Sequence, residues 1–131
     1  VSANDLYILH SDGHLTTCVY SNISGAPTKC TDPAPYVITM NGGEKKPVVV
    51  PNTNFTQLQY SQPPDPSIYM LDSNGQSLYH FSLRMTLQKK LSMQAGDPYK
   101  LQGNPATAFA VNPGKVLFIA FGNRMYRGIE P

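Results

Sequence analysis

Three stretches of this chain follow one pattern: an apolar run, a tight polar turn with glycine, and a second apolar run. They are Asp5-Leu-Tyr-Ile-Leu-His-Ser-Asp-Gly-His-Leu-Thr-Thr-Cys-Val-Tyr20, Ser67-Ile-Tyr-Met-Leu-Asp-Ser-Asn-Gly-Gln-Ser-Leu-Tyr-His-Phe81 and Lys115-Val-Leu-Phe-Ile-Ala-Phe-Gly-Asn-Arg-Met-Tyr126. Each predicts a β-hairpin, because Asp12-Gly13, Asn74-Gly75 and Gly122-Asn123 tolerate the positive φ that such turns need. Gly13 and Gly75 are expected at equivalent positions. No sustained 3.6-residue apolar period competes with this reading.

The correspondence runs past the hairpins. With a one-residue gap, Leu15 aligns with Leu78, Cys18 with Phe81, Cys30 with Met93, and Pro35-Tyr36 with Pro98-Tyr99. A further strand is therefore expected at about 27–33 and at about 88–95. Alternating segments, Asn54 to Tyr60 and Ala106 to Val111, predict a strand before the second and third hairpins. The unit is four antiparallel strands, a to d. Residues 1–37 hold b, c and d, residues 53–100 hold all four, and residues 104–128 hold a, b and c. Residues 38–52 are expected to be a long charged connection.

Four-stranded units repeating along a chain resemble the blades of β-propeller proteins, whose sheets stack radially. The Trp-Asp dipeptide of WD repeats is missing, since the chain has no Trp. The expectation is an all-β chain of about two and a half blades, with a β-sandwich as the alternative. Blade faces pack on neighbours, so residues 1–131 are expected to be part of a larger ring or one subunit of an assembly.

Composition fits many short strands and excludes some functions. Charged residues are only 14% of the chain, and Pro, Gly and small polar residues fill the deficit. A net charge of +2 gives no reason to expect nucleic acid. It divides into −3 over residues 1–83 and +5 over the rest, a mild dipole. No apolar run reaches the roughly 18 residues of a membrane helix.

The chemistry-bearing residues are sparse. Cys18 and Cys30 align with core positions, so packed thiols are expected, with a cross-strand disulfide as the alternative. His10 and His14 flank the first turn. Two imidazoles and a nearby carboxylate suit a metal, but the aligned Asp72 and Gln76 favour plain turn-flanking polar positions. His80 is expected to be half-buried. The carboxylates Asp12, Asp32, Glu44, Asp65, Asp72 and Asp97 lie in turns or next to Pro and make no acid–base pair. No nucleophile elbow or phosphate loop is present. Asn22-Ile23-Ser24 and Asn54-Phe55-Thr56 are glycosylation sequons.

These features point to a non-catalytic binding or scaffold module that presents loops on a rigid sheet frame. The residues expected to meet a partner are Asp12 and His14, Glu44, Lys45 and Lys46, Asn74 and Gln76, and Asn123 and Arg124. The partner is expected to be a protein or further blades, with no cofactor and no metal. The other readings are an enzyme whose catalytic residues lie in other blades, and an extracellular ligand-binding or adhesion module.

Overall fold

The computed structural model describes residues 5–19, 28–48, 55–62, 66–74, 76–92 and 106–130. These residues are all-β, with twelve strands in four small antiparallel sheets. The first sheet orders β1 (Asp5–Leu9), β2 (Leu15–Val19) and β3 (Lys29–Thr31). A two-stranded hairpin follows, β4 (Tyr36–Thr39) and β5 (Lys45–Val48). The central sheet orders β6 (Phe55–Ser61), β7 (Ser67–Asp72), β8 (Ser77–Phe81) and β9 (Leu87–Ser92). The last sheet orders β10 (Ala108–Val111), β11 (Val116–Phe121) and β12 (Arg124–Ile129).

Strands stand where hydrophobic alternation predicted them, with one correction. Residues 38–52 were expected as a connection, yet β4 and β5 pair there from Tyr36↔Val48 to Thr39↔Lys45. Gly42 and Gly43, with φ of +95° and +84°, turn the chain back on itself. Two glycines among charges read as a loop, but here they are the tip of a hairpin. Pro47 is accommodated because β5 is an edge strand, where the missing N–H faces no ladder.

One turn design recurs. At His10, Met40, Ser82 and Asn112, the N–H bonds the carbonyl four residues on, and the third residue's N–H returns to the starting carbonyl. This is a three-residue loop whose last residue is left-handed. Gly13 (φ +90°) and Gly43 fill that slot in two of the turns, Met85 (φ +59°) and Lys115 (φ +61°) in the others. In the β7–β8 turn Gln76 is also left-handed (φ +49°), its N–H on the Ser73 carbonyl. Gly75, expected to match Gly13, lies outside the described residues. Asn112 Oδ1 and Ser82 Oγ accept backbone N–H groups across their turns, so the first residue helps fix the geometry.

The central sheet is buried on both faces. All of β7 and β8 is buried, which explains their nearly unbroken apolar runs. Ile68, Met70, Tyr79 and Phe81 face a core shared with Leu15 and Ala34, with Tyr7, Leu9 and Tyr36 packed alongside. Tyr69, Leu71 and Leu78 face the opposite core, shared with Phe109, Val111 and Leu117 of the last sheet. The sheets therefore stack in three layers in chain order. The β4–β5 hairpin docks beside the central sheet through Val37, whose N–H bonds the Met85 carbonyl.

Cys18 and Cys30 are directly opposed in the β2–β3 register and form a disulfide. This corrects the expectation of packed thiols. Core slots elsewhere take Phe81, but β3 is fully exposed, so Cys30 has no core to enter and its sulfur meets Cys18 instead. Alkylation of the untreated protein under denaturing, non-reducing conditions should add no group by mass spectrometry. Two added groups would mean free thiols.

Candidate functional site

Two of the expected partner-facing turns, β7–β8 and β11–β12, lie side by side. The Ser73 hydroxyl, in the β7–β8 turn, donates to the Ala106 carbonyl at 2.6 Å. Next to it, Thr107 Oγ1 accepts the Gly122 N–H of the β11–β12 turn. Asn74 and Gln76 thus flank the same short segment as Asn123 and Arg124. At the other end, a groove of about 570 Å³ is lined by Asp5, Thr17 and Val19 together with Leu83 and Arg84 of the β8–β9 turn. The β1–β2 turn, with Asp12 and His14, is at the far end of β1 from that groove. None of the expected partner-facing residues lines it. Glu44, Lys45 and Lys46 are exposed on the β4–β5 hairpin, a two-stranded sheet separate from the other turns.

The β1–β2 turn carries a polar cluster. The His10 and His14 rings stack, their centroids 3.9 Å apart and their planes 7° from parallel. His14 Nδ1 meets Asp12 Oδ1 at 2.5 Å, and its Nε2 meets Asp32 Oδ1 at 3.0 Å. His10 Nε2 lies 2.7 Å from the Thr16 hydroxyl. The hydrogen bond to Asp12 raises the His14 pKa above its ordinary value, with the Asp12 and Asp32 charges adding to it. The His14 backbone and side-chain hydrogen bonds hold the Asp12 carboxyl low. Sequence reasoning placed the two imidazoles around one turn but did not foresee Asp32. It enters because β3 pairs with β2 and ends opposite Thr17.

A second cluster is buried, and the sequence reading missed its central residue. Glu130 follows β12 with a fully buried side chain. Its Oε2 accepts the Tyr69 hydroxyl at 2.7 Å, and its Oε1 lies 2.7 Å from His80 Nδ1. Lys89 Nζ is 3.7 Å from the same oxygen. Tyr69, His80 and Lys89 are cross-strand neighbours on β7, β8 and β9. They form one row on the face that meets the last sheet. The Tyr69 and His80 rings stack at 4.4 Å. His80 is therefore fully buried rather than half-buried. Its Nε2 is buried with no partner among the described residues. Despite burial, which opposes ionisation, the Tyr69 and His80 hydrogen bonds and the nearby cations lower the Glu130 pKa. The available signal was an acidic residue just past a strand, with a Tyr-His-Lys row to receive it.

Between the same two layers, β6 and β10 meet through amides. Gln57 Nε2 donates to the Phe109 carbonyl at 2.8 Å, and Gln57 Oε1 accepts the Phe109 N–H at 2.9 Å. Gln59 repeats both bonds with Val111, at 2.6 and 2.9 Å. Two side chains at i and i+2 thus mimic a neighbouring strand and satisfy the open edge of β10.

The sequon at Asn22 and the asparagine of the second sequon, Asn54, lie outside the described residues, as do Asp65 and Asp97. Among the described residues no helix is long and apolar enough to cross a membrane. A scan against protein-family models and searches of curated proteins and of solved structures found no match to this chain.

Proposed function

We propose that this chain is a scaffold of propeller-type blades that presents its hairpin turns to a protein partner. The observation that carries this reading is the face-to-face stacking of three meander sheets in chain order. Strands adjacent in sequence pair side by side within each sheet, and successive sheets cover one another's faces. That is how propeller blades pack, and a two-layer sandwich would leave the central sheet with one open face.

The last sheet supports continuation of the stack. β11 is apolar on both faces. Leu117, Ile119 and Phe121 serve the inner core, while Val116, Phe118 and Ala120 point the other way. Their cross-strand partners are Ile129, Arg127 and Met125 on β12. Met125 and Ile129 are 71% and 70% exposed. A further β-sheet laid on this face buries these side chains and leaves Arg127 at its margin. The turn end holding Asp12, His14, Asn74, Gln76, Asn123 and Arg124 then forms a continuous rim for a partner, with Glu44, Lys45 and Lys46 on a separate hairpin.

Sedimentation velocity of residues 1–131 tests the reading. Self-association is the expected result, because an apolar sheet face of this kind seeks cover. Replacing Phe118 and Ile129 together with Lys should return a monomer. A monodisperse 14.4 kDa wild-type monomer that unfolds cooperatively would overturn the blade reading.

A further inference from the structure

The β1–β2 turn and the end of β3 bring together three groups of one chemistry. One ligand atom from each of His10, His14 and Asp32 lies within 4.8 Å of the other two. An ion placed among atoms so spaced can sit within roughly 2.8 Å of each, against about 2.0–2.2 Å for bonded zinc. A contraction of under roughly 1 Å closes the site. It requires the two stacked ring planes to tilt toward each other. Both side chains rise from a solvent-facing turn, which permits that movement.

The groups behind the ligands are also in place. A histidine that holds a metal through one nitrogen is usually fixed by a hydrogen bond at the other. Asp12 Oδ1 engages His14 Nδ1, which leaves Nε2 aimed at Asp32. Thr16 engages His10 Nε2, which leaves Nδ1. Each imidazole is thus held at one nitrogen, and the other is the candidate ligand. The 3.0 Å gap between His14 Nε2 and Asp32 Oδ1 is the space of a shared proton, which a metal ion displaces when it takes both atoms.

We propose that His10, His14 and Asp32 form a site for one divalent transition-metal ion of the zinc class, oriented by Asp12 and Thr16. Two imidazoles and one carboxylate are ligands that zinc accepts, and three protein ligands leave a fourth position open. The ion clamps the first hairpin turn to the end of β3. The site stands independently of the blade reading, since all five residues lie in the first sheet or its turns. The third histidine of the chain, His80, is buried against Glu130 and takes no part.

Calorimetric titration of the chelator-treated full chain with zinc chloride tests the site. One saturable ion per chain is expected, with a rise in melting temperature. His14→Ala and Asp32→Asn should each weaken zinc binding by at least about tenfold. Asp12→Asn, which keeps every ligand, should weaken it by about tenfold through loss of orientation. Asn123→Ala should leave it unchanged. Should a histidine variant misfold, cobalt(II) added to the wild-type chain gives a second reading: visible absorption bands that zinc abolishes. No saturable binding to the wild-type chain, no such bands, or unchanged affinity in folded His10→Ala/His14→Ala would overturn the proposal.

Discussion

Glu130→Ala should lower the unfolding free energy by about 4 kcal/mol, since it strips two buried donors of their shared acceptor at roughly 1–3 kcal/mol each. The Tyr69 hydroxyl and His80 Nδ1 would lose their acceptor inside the protein. A buried donor left without a partner carries its full desolvation cost. Urea unfolding followed by circular dichroism measures the change, and a loss below about 1 kcal/mol would show the cluster to be dispensable. The same carboxylate predicts a pH dependence. Its pKa in the folded chain lies below the ordinary 4.5, so over that interval the unfolded chain binds more protons. Its contribution is complete above about pH 4.5 and fades as pH falls through the folded value. Glu130→Gln keeps an acceptor for Tyr69 but cannot ionise. Its stability profile should lose this acid-side component while remaining closer to wild type at neutral pH.

Replacing both Gln57 and Gln59 by Ala should cost about 3 kcal/mol. Four backbone groups, the N–H and C=O of Phe109 and of Val111, would lose their partners on the open edge of β10. Each single replacement should cost about half as much, because water can reach part of the freed edge. Hydrogen exchange gives the sharper reading. The Phe109 and Val111 amides should lose protection in the double variant, while the Ala110 amide, directed at β11, should keep more of it. Equal protection of all three in wild type and variant would mean that the glutamines only cover the edge.

Strand positions were legible because apolar alternation and turn residues act locally. Asp5 to Val19 announces its hairpin without help from the rest of the chain. The β4–β5 hairpin was not legible, since its tip and its lysines carry no apolar alternation. Its docking depends on Val37 finding the Met85 carbonyl, a tertiary event. Positive φ was legible at Gly13 and Gly122 but not at every turn. Glycine marks the residue that adopts positive φ most easily, yet Gln76, Met85 and Lys115 take that conformation because the turn hydrogen bonds impose it. Alignment of Cys18 and Cys30 with Phe81 and Met93 suggested core packing. The exposure of β3, which decides for a disulfide, depends on what lies beside it. The first-turn histidines could be paired from spacing alone, whereas Asp32 needed the β2–β3 register. Glu130 was harder still, because the row that receives it exists only once three strands have paired.

Within each sheet, consecutive strands are joined by hairpins or short links, so every ladder can form from nearby chain. The polar links between layers are different. The glutamine contacts span 52 residues, and Glu130 reaches back 61 residues to Tyr69 and 50 to His80. Local ladders form fast, while contacts of such separation carry a larger loop-closure cost. These side chains, together with the apolar core of Tyr69, Leu71, Leu78, Phe109, Val111 and Leu117, couple the central sheet to the last. Replacing both glutamines is expected to weaken that coupling while leaving every ladder bond within either sheet in place.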